Sequence, residues 1–375
     1  MPRSALGVVC ALLFMLTAMV PASYASAGTA ASKTAAAKKH GAAKRAGLRS
    51  KTAARNAHSA PLSINGHERL VRQVASVHGR RRVSYQRIAF APSIPAVPPV
   101  ISAGDQAGLN LTRDPLDLKS SVALVLDQSN SQVLFEKNSN VALPIASITK
   151  LMTALVVVEA KQNMDEVLEV TNDDVDHEKN STSRLSVGSQ LSRTNMLHIA
   201  LMSSENRAAS ALGRNYPGGL PAFVVAMNAK AHALGMSGTH YVEPTGLSSQ
   251  NVASARDLAK LVVAAHEHAI LRTYSTDSKY IVDTGRRSLQ YSNSNHLVAN
   301  PGWEIGLQKT GYINEAGRCL VMLAKIEGRP IVMVFLDSKG KQSRLADAGR
   351  IRKWLEALKP RAPQSVLQTV SAPLN

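Results

Sequence analysis

Three short groups of residues stand in order along the chain: Ser147-Ile148-Thr149-Lys150, Ser204-Glu205-Asn206 and Lys309-Thr310-Gly311. A serine hydroxyl is a poor nucleophile until a base takes its proton. A lysine serves as that base only when its ammonium pKa is lowered, by burial and by a second positive charge. The residues from 147 to about 160 carry a helical pattern that is apolar nearly all round, the mark of a buried helix. Lys150 then lies one turn beyond Ser147 on one face, out of water. Lys309 is the candidate second charge. The helix start at Ser147 offers backbone N–H groups to an oxyanion. Ser204 can relay a proton to a leaving amine, Asn206 and Thr310 can hold amide and carboxylate groups, and Lys309 can hold a carboxylate. Gly311 allows a ligand close to the backbone. Together these pieces describe acyl transfer through a seryl ester. Each group alone is weak, since Ser-x-x-Lys recurs at 338–341 and Ser-x-Asn at 63–65 and 249–251. Context separates them: Ser338 follows an apolar strand pattern in a polar turn, where a surface reading suffices.

The elements that must position these residues are visible in the patterning. Residues 121–127 and 132–136 read as a strand pair joined by a polar turn. Helical patterns follow at 193–202, 205–214, 220–234 and 253–268, with 173–178 as an acidic, solvated loop. The period then changes to strands at 306–310, 318–326 and 330–337, with a closing helix over 345–358. Lys309-Thr310-Gly311 ends the first of these strands. Strands at both ends with helices between predict one sheet built from the two ends of the chain and a helical insertion.

With the motifs in this order, the chain resembles the penicillin-binding protein and serine β-lactamase superfamily. Within it, the flanks resemble the low-molecular-mass D-alanyl-D-alanine peptidases, and among those the endopeptidase branch. The resemblance rests on five separated blocks: 144–154 around Ser147, 200–209 around Ser204, Val242-Glu243-Pro244-Thr245-Gly246-Leu247-Ser248, Asn295-His296-Leu297, and 309–317. It covers about residues 116–358. It implies an α/β (α+β) fold of the β-lactamase/transpeptidase type, an antiparallel sheet flanked by helices with a mostly helical second lobe. It also implies Ser147 as acyl-ester nucleophile, Lys150 as proton acceptor, Ser204 and Asn206 as the second element, and Lys309 with Thr310 and Gly311 on the substrate. The family's oxyanion hole corresponds to the backbone N–H groups of Ser147 and Tyr312. The implied reaction is penicillin-sensitive hydrolysis of D-alanyl cross-links in peptidoglycan, with no cofactor and no metal. The alternatives are a D,D-carboxypeptidase acting on stem peptides and, in another class, a non-catalytic wall-binding protein. Carboxypeptidase relatives carry an extra C-terminal β domain and an amphipathic anchor. Here Pro360, Pro363 and Pro373 argue against an anchor helix.

The chain of 375 residues holds 44 Lys+Arg against 26 Asp+Glu, a net charge of +18 that raises nucleic acid as a partner. Residues 28–92 hold 14 of the basic residues and one acid, Glu68, so the charge belongs to an N-terminal extension and leaves the remainder near balance. Residues 1–27 read as a secretory signal, with Arg3, an apolar run from Ala5 to Val20 and Ala25-Ser26-Ala27 as cleavage site. Export to the periplasm removes nucleic acid from consideration and removes Cys10 with the signal. Cys319 is then the lone cysteine and reads as a small buried hydrophobe. No membrane span remains after signal removal. The organisation expected is thus a signal over 1–27, a basic, Pro-ended and largely disordered extension over 28–99, a catalytic domain over 100–358 and a tail over 359–375. Residues 28–92 are positioned to contact anionic envelope polymers. Glu205 reads as a helix-start acid near the dipole, and His266-Glu267-His268 as helix surface, since i and i+2 do not face each other on a helix.

Overall fold

The computed structural model describes residues 68–77, 79–89 and 101–358, which fall in two compact units divided at Pro92/Ser93. The expected signal, most of the extension and the expected tail lie outside the described residues.

Within the first unit, Glu68–Val77 and Arg80–Ala89 form an antiparallel hairpin. The two-residue loop is possible because Gly79 takes the left-handed region (φ 74°). The hairpin is an element that the sequence reading of the extension did not anticipate. Arginines hide the strand signal because they fall on both faces: Arg72 pairs across from Tyr85, whereas Arg80 and Arg82 occupy the alternate face.

The second unit is built on a five-stranded antiparallel sheet. Its order is Glu304–Ile313, Gly317–Ile326, Arg329–Ser338, Ser120–Asp127, Gln132–Lys137. Strand Ser120–Asp127 pairs with Arg329–Ser338, Val125 opposite Met333, so the sheet does join the two ends of the chain. Successive residues of the central strands are buried on both faces. Val122, Leu124, Val332, Val334 and Leu336 meet the helical lobe, while Ala123, Val125, Met333 and Phe335 meet Ala348, Ile351 and Leu355 of the closing helix Ser343–Ala357. Burial on both sides explains why these strands read as continuous apolar runs without alternation.

Helix Thr149–Glu159 runs through the middle of the helical lobe with Thr149 to Val157 all buried. Helix Arg193–Met202 starts where expected and Ala255–His266 two residues later than expected, because Ser192 and Ser254 accept the N–H groups of Asn195 and Asp257 at 3.2 and 3.1 Å. Among the elements that escaped the periodicity reading are helix Ala269–Thr276 and the hairpin Lys279–Asp283/Ser288–Ser292. The acidic stretch is not wholly solvated either. Asp174 is buried, accepting from Ser210 at 2.8 Å and pairing with Arg214 at 2.9 Å.

The closing helix is fastened to the first sheet strand by one buried carboxylate. Asp347 accepts from the backbone N–H of Lys119 (3.1 Å) and Ser120 (2.9 Å), the Ser120 hydroxyl (2.6 Å) and Arg350 (2.6 Å). Asp347→Ala leaves those donors unmet in a dry site and is expected to cost about 2–4 kcal/mol. Urea unfolding of the two proteins measures it, and a loss under 1 kcal/mol would remove Asp347 from this role.

Candidate active site

The chain enters the site through a strained turn. Ala146 has a left-handed backbone (φ 48°), unusual for a residue with a side chain. Residues Ala146–Ile148 form a single 3-10 turn that passes directly into helix Thr149–Glu159. Ser147 therefore sits at the mouth of the buried helix, half-buried itself, and Lys150 lies one turn on with 1% of its surface exposed. The Thr149 hydroxyl donates to the Ala146 carbonyl at 2.8 Å and receives the Asn251 amide at 3.1 Å, which holds the turn from within.

Two glycines make room for this turn. A Cβ on Gly246 (φ 81°) would stand 2.0 Å from the Ala146 carbonyl oxygen, and one on Gly311 would stand 2.8 Å from that of Ile145. Gly311 is thus required by close packing of its strand on the nucleophile turn, a different reason from the ligand approach expected. Its motif also lies inside strand Glu304–Ile313 and not at the end of it.

The Lys150 Nζ reaches three oxygens: Ser147 Oγ at 2.9 Å, Asn206 Oδ1 at 2.7 Å and the Thr245 carbonyl at 2.5 Å. Asn206 is oriented from behind, its Nδ2 donating to Ser181 Oγ at 2.9 Å. Burial lowers the Lys150 ammonium to about pKa 8, while the carboxylates of Glu243 and Glu205 act in the opposite direction. A neutral lysine has two N–H donors and one lone pair. With the Asn206 and Thr245 carbonyls taking the donors, the lone pair faces the Ser147 hydroxyl.

Ser204 occupies a left-handed position (φ 67°) between helices Arg193–Met202 and Asn206–Arg214. Lys309, fully buried, donates to Ser204 Oγ and to the Thr310 carbonyl, each at 2.9 Å. Burial lowers the Lys309 ammonium far below its ordinary value, helped by Lys150 and Arg344. Burial is the leading cause at both lysines, and the positive charge of Lys150 adds to it at Lys309. Thr310 Oγ1 donates to Ser294 Oγ at 2.7 Å, and Arg344 donates to the Gly311 carbonyl at 3.2 Å. Tyr312 is 50% exposed, its hydroxyl on Asn314.

Hydrogen bonds join Lys150 to Ser147 and Asn206, and Lys309 to Ser204, while Gly311 packs its strand on the Ile145–Ser147 turn with Thr310 and Tyr312 to either side of it in the strand. Sequence reasoning missed several neighbours. Glu243 accepts the N–H groups of Thr245 (2.5 Å) and Gly246 (2.6 Å), fixing the loop whose carbonyl holds Lys150. The block 242–248 was visible as a resemblance, but its working atom is a main-chain oxygen. Glu205 is more than a helix-start acid: it is buried, accepts no capping bond, and binds Ser183 and Tyr291. Lys179 and Glu315, 2.6 Å apart, tie the loop carrying Ser181 to the turn after the Lys309 strand. Cys319 is buried and its thiol is pushed up to about 12 by burial. Among the described residues no cluster of His, Cys, Asp and Glu has metal-binding geometry.

A family model described as D-alanyl-D-alanine carboxypeptidase matches residues 110–340. A D-alanyl-D-alanine endopeptidase of Pseudomonas aeruginosa is 49% identical over 271 residues, covering 72% of this chain and 85% of the relative. One from Escherichia coli is 41% identical over 277 residues, covering 73% and 88%. Among solved structures, the crystal structure of the Streptomyces K15 DD-transpeptidase superposes with a TM-score of 0.61 at 25% identity, covering 66% of this chain and 100% of that one. The β-lactamase/transpeptidase-like fold expected from the motifs is the fold observed.

The depressed Lys150 has a thermodynamic signature. The unfolded chain keeps that proton to about pH 10.4, whereas the folded chain releases it near 8, so in this window the unfolded state binds more protons and stability rises with pH. The stability difference between the native protein and Lys150→Met, measured by urea unfolding from pH 7 to 10.5, is expected to shift by roughly 2–3 kcal/mol in favour of the native protein. A difference independent of pH would contradict a neutral Lys150.

Proposed function

The chain belongs to the D-alanyl-D-alanine carboxypeptidase family, and from that premise we propose that it is an exported serine D,D-peptidase that hydrolyses D-alanyl cross-links in peptidoglycan. One observation carries the mechanism: Lys150 Nζ is held by two carbonyl oxygens with Ser147 Oγ as its third neighbour at 2.9 Å. As Ser147 Oγ attacks the D-alanyl carbonyl, its proton passes to the Lys150 lone pair. The developing oxyanion falls to the main-chain N–H groups of Ser147 and Tyr312. Ser204, which accepts from Lys309, gives its own proton to the departing amine and regains one from the ammonium of Lys150; the C–N bond breaks, the acyl group stays on Ser147 and Lys150 is neutral again. Water, deprotonated in turn by Lys150, releases the acid. Asn206 orients Lys150 and the peptide, and Lys309 with Thr310 holds the carboxylate of the leaving residue.

The endopeptidase reading is supported by the names of the P. aeruginosa and E. coli relatives and by the length to which the match extends. D,D-carboxypeptidase activity on uncrosslinked stems uses the same chemistry. A non-catalytic wall binder is disfavoured by a complete site with a depressed lysine. Periplasmic location rests on the signal-like residues 1–27. Among the described residues no helix is long and apolar enough to cross a membrane. Residues 28–92 would add electrostatic contact with anionic envelope polymers, and deleting them should weaken wall binding at low salt more than at high salt.

Incubation with penicillin is expected to place a covalent adduct on Ser147, seen by peptide mass spectrometry; an unmodified Ser147 in folded, active protein would refute the assignment. The acylation rate is expected to rise with pH and level off above about 8, as Lys150 loses its proton. Lys150→Ala should slow acylation by about 10²–10⁴. Digestion of purified crosslinked muropeptides separates the two activities: loss of dimers marks the endopeptidase, release of free D-alanine alone marks the carboxypeptidase.

A further inference from the structure

Beyond Gly311, the edge strand continues into a feature that acyl transfer itself does not use. Tyr312, Arg318 and Ser338 lie opposite one another across three adjacent strands, one row further along than Thr310 and Leu320. A cleft of about 450 Å³ opens on that row, with Tyr312, Asn314, Arg318 and Lys341 among its walls. The Arg318 guanidinium lies over the Tyr312 ring, 4.4 Å from its centre, and is held ready at the cleft wall. Asp105 and Lys339 also line the cleft, and they neutralise each other at 2.6 Å, with Asp337 as a second partner of Lys339 at 2.9 Å. Among the described residues neither Arg318 nor Lys341 is in an ion pair. The nearby carboxylate of Glu315 is engaged by Lys179. The cleft therefore presents two cations outside any ion pair, Arg318 and Lys341, beside an exposed aromatic ring, and a net positive charge of one once Lys339, Asp105 and Asp337 are counted.

Chain direction relates this cleft to the reaction. In the proposed function the carboxylate of the leaving residue sits at Lys309 and Thr310 and the acyl carbon at Ser147. The residues that precede the acyl carbon then run on along the same edge, past Tyr312 and Asn314, as an added strand. At ~3.3 Å per extended residue, one or two residues upstream of the scissile bond reach the Tyr312 row. We propose that this cleft is a subsite for a negatively charged residue of the acyl-donor stem, its carboxylate held by Arg318 and Lys341 and its aliphatic part against Tyr312. The proposal rests on the D,D-peptidase reading and deepens it: the preferred donor is an anionic peptide, not merely one ending in D-alanyl-D-alanine.

The test uses two synthetic peptides ending in D-Ala-D-Ala that are identical except that the upstream side-chain carboxylate is free in one and amidated in the other. Both are titrated by calorimetry into full-length protein carrying Ser147→Ala, so that binding is read without turnover. The free-carboxylate peptide is expected to bind about fivefold more tightly. That ratio should fall toward one in 0.5 M salt, and toward one when Arg318→Gln and Lys341→Gln are added. Equal affinity of the two peptides for the Ser147→Ala protein, or a ratio that survives both cation substitutions, would overturn the subsite. Because the ligand carries the change, a folding defect in the variants cannot imitate the result. The reading beneath it is checked separately: wild-type protein that hydrolyses neither peptide and takes no penicillin adduct would fail the D,D-peptidase assignment whatever the binding ratio.

Discussion

A buried lysine nitrogen with two carbonyl oxygens around it is the constraint on which the rest of the structure depends. An ammonium in that position carries a desolvation penalty that the nearby carboxylates of Glu243 and Glu205 offset only in part, leaving Lys150 near pKa 8. Proton loss near pH 8 is what turns an ordinary Ser-x-x-Lys into a nucleophile with its base. The arrangement also fixes direction, because the Asn206 and Thr245 oxygens can only accept and so leave Ser147 as the group that meets the lone pair. Three separate parts of the chain meet at one nitrogen: the nucleophile helix, the turn between two lobe helices, and the 242–248 loop.

Much of the surrounding architecture serves to keep those parts within hydrogen-bond reach. Gly246 and Gly311 let two segments press against the Ile145–Ser147 backbone from different directions, at distances no side chain would allow. Ala146 and Ser204 hold left-handed conformations on either side of the cleft, a cost of order 1–3 kcal/mol each that the packed lobe must sustain. Lys309 enters from the sheet and reaches Ser204 from the opposite side, so sheet and helical lobe share the site. The sheet is buried on both faces, which gives the motif strand a rigid support.

The site was legible where chemistry resides in side chains at fixed spacing along one element. Ser147 and Lys150 stand three apart on an apolar helix, and Lys309 to Gly311 continue an apolar strand, so pattern and chemistry pointed the same way. The sheet strands were legible for the same reason, since burial on both faces makes them unbroken apolar runs. What stayed hidden works through the backbone or through distant loops. The Thr245 carbonyl and Ser181 hydroxyl reach the site from 95 and 25 residues away in sequence, counted from their partners Lys150 and Asn206. That Lys150 and Lys309 are both fully buried is a matter of tertiary packing, which spacing does not encode. The hairpin at Lys279–Ser292 was missed because its strands are five residues long and six of their ten residues are exposed. The Arg-rich hairpin at Glu68–Ala89 was missed because arginine on both faces erases the alternation by which strands are found.

The pKa of Lys150 in the resting protein decides whether it can serve as the base for Ser147. Selective isotope labelling of lysine, with the Lys150 resonance identified by its loss in Lys150→Met, allows its Nζ and Cε shifts to be followed by NMR from pH 6 to 11. A titration midpoint near 8 is the predicted result. A midpoint at the ordinary lysine value of about 10.4 would contradict it, because Ser147 would then face an ammonium that has no lone pair to receive its proton.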